Sequence, residues 1–214
     1  VSQCNTAISA YGRVWAASTS ADKSTIIWSD LLAPHVWTTG TSGSLNLNAI
    51  WPSGGDEITG LAAHNNFLFI FGRRQILIYS GANTPTDMTL AHTIVGVGCV
   101  ARDSIQNTGE DVWFLSDSGV RSMQRTIQEK SAPFVHISRN VHKELQAHIN
   151  AGDPVIIKSA LSLINGMYII SLPVSDLIYC FDITSRLPDG AAKVTTWTDF
   201  DLFSAAEGQD RNWY

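Results

Sequence analysis

Two almost wholly apolar runs, Phe67–Phe71 and Ile76–Tyr79, stand close together with only Gly72-Arg73-Arg74-Gln75 between them. Each is four or five residues of Phe, Leu, Ile and Tyr, the length and composition of a β-strand. Neither alternates apolar with polar, which predicts strands covered on both faces. His64-Asn65-Asn66 ahead of them is a tight-turn signal, and Ile58–Ala63 is a further strand candidate made of small residues. The unit is therefore strand, turn, strong strand, polar turn, strong strand.

That unit recurs. YGR-VWAA with STIIW, TGED-VWFL with GVRSM, and ING-MYII with LIYCF repeat it, and GQDRN-WY begins it again. The first apolar residues after the turns are Val14, Phe67, Val112, Met167 and Trp213, at intervals of 53, 45, 55 and 46 residues. A repeat of about 50 residues built from three or four short strands is the mark of a β-propeller. Blades sandwiched between neighbours explain strands that are apolar on both faces. The expected fold is all-β, a propeller of four blades plus part of a fifth. The units run approximately 1–50, 56–97, 99–137, 153–200 and an incomplete 202–214, within one domain or domain fragment spanning 1–214. Val14–Ala17, Phe67–Phe71, Val112–Leu115 and Met167–Ile170 should lie inside their sheets, with Phe69 and Ile78 almost fully buried. Small-residue inner strands are expected at Ile58–Ala63, Val100–Ser104 and Ser204–Ala206. Outer strands are expected at Leu45–Ile50, Met88–Val97 and Val194–Trp197, and Val120–Met123 as the second strong strand of the third unit.

One stretch breaks the pattern. In Ser138–Asn150, Val141, Leu145 and Ile149 recur at helical spacing among polar residues. Ser138 is an N-cap candidate, and Gly152-Asp153-Pro154 stops the run. This predicts one inserted amphipathic helix, the only one longer than two turns.

Composition agrees with a dry β structure: charged residues are 15% and tryptophans number seven, against a usual charged share of about 25%. A net charge of −5 is unlike the basic surface that grips nucleic-acid phosphates. Cys4, Cys99 and Cys180 are odd in number, widely spaced and without a CxxC, so they make no disulfide framework and fit a reducing compartment. No apolar run is long enough to span a membrane. The chain starts at Val1 and stops inside a strand pattern, so it reads as a piece of a longer protein.

Candidate chemistry fails on context. Gly96-Val97-Gly98-Cys99-Val100-Ala101 matches G-x-G-x-x-[GA], but a dinucleotide site needs a helix to open there and Gly109 follows too soon. Small residues packed close together account for it better. His35, His64, His92, His136, His142 and His148 are scattered over different units, and His142 and His148 do not share a helix face. Gly40–Ser44 lacks the preceding strand of a nucleophile elbow. Glu110-Asp111 reads as a solvated acidic pair, and Arg102 with Asp103 as an internal salt bridge between neighbouring blades. No catalytic, cofactor-binding or metal-binding residue is assigned, so the chain is expected not to be an enzyme. The remaining candidates are interface anchors: Trp37 and Trp51 in Pro- and Gly-rich loops, and Arg73 and Arg74 on a hairpin tip.

The ordered series STIIWSDLL (24–32), NNFLFIFGRRQILIYSGA (65–82), TIVGVGCVARDSI (93–105), WFLSDSGVRSM (113–123), RTIQEKS (125–131) and LIYCFDITSRLPDG (177–190) resembles the propeller region of a known family. That family is the tail nozzle proteins of short-tailed phages, also called tail tubular protein B. The likeness runs from about Tyr11 to Phe200. It implies a structural virion protein in a homo-hexameric ring at the distal end of the tail, assembled in the host cytoplasm. Its partners would be the adaptor protein, the tail fibres and double-stranded DNA passing without sequence-specific binding. Residues lining the channel would lie outside this stretch, and no catalytic residue comes with the likeness. The competing class is a glycan-binding or glycan-cleaving propeller at a cell surface, which should carry paired carboxylates facing one pocket.

Overall fold

A computed structural model describes residues 3–129, 137–199 and 202. The expected inner strand Ser204–Ala206 and the fifth unit's Trp213 lie outside the described residues. The chain divides into two compact units, Val1–Cys99 and Val100–Tyr214.

The first unit holds two four-stranded antiparallel meanders. Cys4–Ala10 (β1), Arg13–Thr19 (β2), Thr25–Trp28 (β3) and Gly43–Asn46 (β4) pair in chain order, as do Gly60–His64 (β5), Phe67–Phe71 (β6), Gln75–Ser80 (β7) and Thr89–Val95 (β8). β6 and β7 are joined in the register Phe69 opposite Ile78 and Ile70 opposite Leu77. Leu68, Ile70, Leu77 and Tyr79 point to one face, into a core shared with Trp15, Ile26, Trp28 and Leu47 of the first sheet. Phe69, Phe71, Ile76 and Ile78 point to the other face and are equally buried. Both faces are covered, and this is why the two runs show no alternation. β8 at the edge is the reverse: only Ile94 of it is buried, and Thr89, Thr93 and His92 keep it polar. The β5–β6 turn places Asn65 and Asn66 at φ 48° and 64°. A two-residue hairpin loop of this twist needs positive φ twice, and asparagine tolerates it.

The outer strand expected over Leu45–Ile50 is shorter. β4 ends at Asn46, whose Oδ1 accepts the Asn48 N–H at 2.9 Å, and Leu47 turns its side chain into the core. The Ile50 and Trp51 amides then close a turn onto the Leu47 carbonyl. Of the asparagines that gave Leu45–Ile50 its alternation, Asn46 ends the strand and Asn48 lies in the turn.

The second unit holds Gln106–Asn107 (β9), Val112–Ser116 (β10) and Gly119–Ser122 (β11), with β10 in the middle, and the four-stranded meander Lys158–Ser162 (β12), Met167–Leu172 (β13), Leu177–Arg186 (β14) and Ala192–Thr198 (β15). The inner strand expected at Val100–Ser104 is not a strand. Arg102–Ser104 is a single 3₁₀ turn, and only Gln106 and Asn107 pair with β10. Ser104 explains this: its hydroxyl donates to the Ala101 carbonyl at 2.6 Å and accepts the Leu115 N–H at 3.0 Å, standing where a ladder partner would.

The strand expected to reach Met123 also ends early. Met123–Glu129 is a helix (α1), anchored by Thr126 Oγ1 donating to the Ser122 carbonyl and by Asp111 Oδ1 accepting the Gln124 N–H at 3.0 Å. His142–Ala151 (α2) is the longer helix, and among the described residues the only one beyond two turns. Its Leu145 and Ile149 join a core with Trp113, Leu115, Val120, Tyr168, Ile170, Tyr179 and Phe181. Ser138 does not cap it. Its hydroxyl is drawn back to accept the Val120 N–H, residues 139–141 form a 3₁₀ turn, and Val141 stands at the α2 N-cap without a side-chain bond.

Candidate functional site

The β6–β7 turn presents two arginines on a fixed backbone. Gly72 N–H reaches the Gln75 carbonyl at 2.8 Å, and the Gly72 carbonyl accepts the Cys99 N–H at 3.0 Å. The Asp56 carboxylate accepts the Arg74 N–H at 3.3 Å. Gln75 is buried beneath, where its side-chain amide bridges the Ser53 N–H and the Gly54 carbonyl. Gly98 lies so close to the Gly72–Arg73 peptide that a β-carbon there would collide with it. That contact, rather than a phosphate, accounts for Gly98, and a backbone φ of +82° accounts for Gly96; the stretch leads into the 3₁₀ turn instead of a helix. The side chains of Arg73 and Arg74 are exposed.

The structure separates the two tryptophans. Trp37 is half-exposed in the loop before β4. Trp51 is not an exposed anchor: it is 4% accessible and packs with Leu47, Ile58 and Leu61. Gly72 makes the room, since a β-carbon at that position would stand 3.2 Å from the Trp51 ring. Trp51 therefore supports the arginine turn from below.

Asp103 is the sheet-bridging acid, but not with the partner expected: Arg102 is its exposed chain neighbour, and Lys158 of the next sheet makes the link. It pairs with Arg102 at 2.6 Å and with Lys158 at the start of β12. Desolvation alone would raise its pKa, but the hydrogen bonds and charges of Arg102 and Lys158 outweigh this and lower it. The Ser159 hydroxyl donates to the Asp103 carbonyl at 2.5 Å, and Gln106 Nε2 donates to that hydroxyl at 2.9 Å. These bonds stitch the two sheets of the second unit at their inner strands.

Among the described residues the histidines stay apart, and His136 lies outside them. His142 Nδ1 lies 2.7 Å from the Ser118 carbonyl, and His148 Nδ1 lies 2.6 Å from Ser175 Oγ. Among the described residues no three His, Cys, Asp or Glu side chains gather as metal ligands. The cysteines are free, Cys4 exposed and Cys99 and Cys180 buried. No helix of the described residues is long and apolar enough to cross a membrane.

Sequence reasoning missed one feature, a cavity of about 560 Å³ in the second unit. Trp113, Arg125 and Arg186 line it, with Thr108, Glu110 and Asp111 along one side. Asp111 is not simply solvated: it accepts the Val112 N–H at 2.7 Å, the Gln124 N–H and the Ser122 hydroxyl. The Arg186 guanidinium lies 4.5 Å from the Trp113 ring centre. Local sequence carries no sign of this, because its residues come from β10, α1 and the end of β14.

No protein-family model and no curated protein matches the chain. Solved structures do. The AfRom2 CNH domain aligns at a TM-score of 0.51 and 10% identity, over 98% of this chain and 63% of that one. The fold is propeller-like. Hsv2 of Kluyveromyces lactis aligns at 0.46 and 11%, over 90% of this chain and 60% of its own. The computationally designed Ika8 protein aligns at 0.46 and 15%, over 90% and 57%. The chain thus spans less than two thirds of each of these structures.

Proposed function

We propose that this chain is the propeller region of a tail nozzle protein of a short-tailed phage, a structural component of the virion and not an enzyme. The observation that carries the reading is where the resembling segments fall. STIIW is on β3, FLFIF and QILIYS are β6 and β7, WFLS and GVRS are β10 and β11, and LIYCFDITSR is β14. These segments follow the sheets in chain order, as blades of one propeller would, while RTIQE of the remaining segment falls on α1.

In this reading the four sheets are four blades. Six copies form a ring around the DNA exit channel, whose lining comes from other parts of the protein. Adaptor protein and tail fibres bind around it. Arg73 and Arg74, presented outward on a pinned backbone, contact a neighbouring subunit or fibre, because arginine is enriched among the residues that dominate interfaces and the turn itself is already ordered. A net charge of −5 suits a tail part past which DNA must slide without being held by its phosphates.

Negative-stain imaging of the full-length protein tests the proposal. A six-fold ring is the expected result. A monomer at micromolar concentration, or hydrolysis of a cell-wall glycan by the pure protein, overturns it.

A further inference from the structure

Among the described residues, the two arginines of the cavity are held in place by contacts other than ion pairs. Arg186 ends β14 and is stacked on Trp113, which is itself 2% accessible. Arg125 comes from α1 and its Nη1 donates to the Gly190 carbonyl at 3.2 Å. Gly190 has φ +83°, and a β-carbon there would stand 2.5 Å from the Arg125 guanidinium, so this turn is shaped to receive it. Among the described residues, neither guanidinium forms an ion pair with a carboxylate.

The two cations also feel each other. Burial lowers the pKa of Arg186 first, and the charge of Arg125 lowers it further. Asp111 and Asp182 act in the opposite sense but do not close on the guanidinium. Asp111 is occupied by two backbone amides and the Ser122 hydroxyl. Asp182 is occupied by the Thr184 and Ser185 amides and hydroxyls. Among the described residues, Arg125 and Arg186 thus line one space with no carboxylate closed onto either guanidinium, although Glu110 and Asp111 line the same space.

We propose that this cavity binds a small hydroxylated organic anion, a polyol bearing a carboxylate or phosphate, whose anionic group bridges Arg125 and Arg186. Planar guanidinium forks match both oxyanions with paired hydrogen bonds. The volume, about 560 Å³, lies within the range of small-molecule sites, roughly 300–1,000 Å³. Leu163 and Ile183 offer an apolar wall to the body of the ligand, and Gln124 offers its side-chain amide to the ligand's hydroxyls, while the Thr108 and Thr184 oxygens, whose hydrogens are already donated within the protein, can only accept. The site is independent of the nozzle reading and of the arginine turn in the first unit.

Calorimetric titration of the full chain with glucuronate, glucose 6-phosphate, inorganic phosphate and glucose at low salt tests this. Saturable binding of one molecule of glucuronate or glucose 6-phosphate is expected, and which of the two binds tighter identifies the anionic group. Glucose, lacking the charge, and inorganic phosphate, lacking the hydroxylated body, should each bind at least about tenfold more weakly, the worth of one charged hydrogen bond. Arg125→Gln and Arg186→Gln should each lose a similar factor, while Arg73→Ala keeps full affinity. No saturable binding of either sugar anion, equal binding by glucose or inorganic phosphate, or unchanged affinity in both glutamine variants overturns the proposal. The four ligands are compared on the unaltered chain, so a variant that fails to fold leaves that comparison decisive.

Discussion

Tyr168 donates its phenolic hydrogen to the backbone carbonyl of Ser104 at 2.6 Å, and both residues are fully buried. Tyr168 sits within β13, and Ser104 closes the 3₁₀ turn that replaces the inner strand of the neighbouring sheet. The ring also packs edge-on to Trp113 at 5.5 Å. A single side chain thus joins the two sheets of the second unit by both packing and a directional bond.

Tyr168→Phe keeps the ring and removes the donor. The variant should lose about 1–3 kcal/mol, the cost of leaving a buried polar group short of its partner. Urea unfolding of both proteins measures it. A change below about 0.5 kcal/mol, the scatter of neutral surface substitutions, means that the carbonyl finds another donor.

Phe69 is 3% accessible and faces Ile78 across the β6–β7 ladder. Phe69→Ala should cost about 3–5 kcal/mol, as large-to-small core substitutions do. Denaturant titration reports it as a lower midpoint with unchanged slope. A loss under about 1 kcal/mol would show that the second face of β6 is not a packed core.

Two of the carboxylates held below their ordinary pKa, Asp182 and Asp103, should contribute to acid sensitivity. Burial by itself would push Asp182 up, but hydrogen bonds from Ser185 and Thr184 overcome it and bring its pKa down from 3.8 to about 2. Asp103 moves in the same direction. Both groups bind protons more readily unfolded than folded, so their stabilisation is complete above the unfolded value and lost as pH falls through the folded one. The window for Asp182 runs from about pH 4 down to about pH 2. Melting temperature should fall across that window, and the fall should be shallower in the Asp103→Asn, Asp182→Asn double variant. Parallel curves would remove both groups from the acid response.

The thiols should divide by burial. Desolvation pushes the Cys180 thiol up to about 12, against a hydrogen bond from Thr195, and Cys99 is buried as well. The thiolate is the reacting form. A disulfide reagent at neutral pH should modify Cys4 quickly and the other two only after unfolding. Fast modification of Cys180 in the folded protein would contradict the packing of β14.

Phe67–Phe71 was legible as a central strand because covering both faces leaves a continuous apolar run, a signal held within five residues. The same local rule misled at Trp51. A tryptophan beside Pro52 and Gly54 reads as a loop anchor, but its burial depends on Gly72 leaving room from another hairpin. Ser138 misled in the same way, since the amide its hydroxyl accepts belongs to Val120 and not to the helix that follows. The cavity was illegible for a related reason. Trp113 reads as one more core aromatic until Arg186, far along the chain, is found over its ring. Periodicity shows which residues are buried; it does not show which distant side chain fills the space beside them.

The arginine turn gives the last prediction its force. Its backbone is held by the Asp56 carboxylate, the Cys99 amide and the Gln75 carbonyl, and none of these bonds uses an arginine side chain. Replacing Arg73 and Arg74 together with alanine should therefore change folding stability by no more than about 0.5 kcal/mol, as for surface positions away from special contacts. If the turn is a hot spot against a neighbouring subunit, the same variant should shift the full-length protein from rings to single copies, because truncating a hot-spot arginine costs about 2 kcal/mol or more. Mass photometry of the variant beside its melting curve separates the two effects. Rings in normal yield with a normal melt would take both arginines out of the subunit interface, and a collapsed melt would mean that the turn depends on their side chains after all.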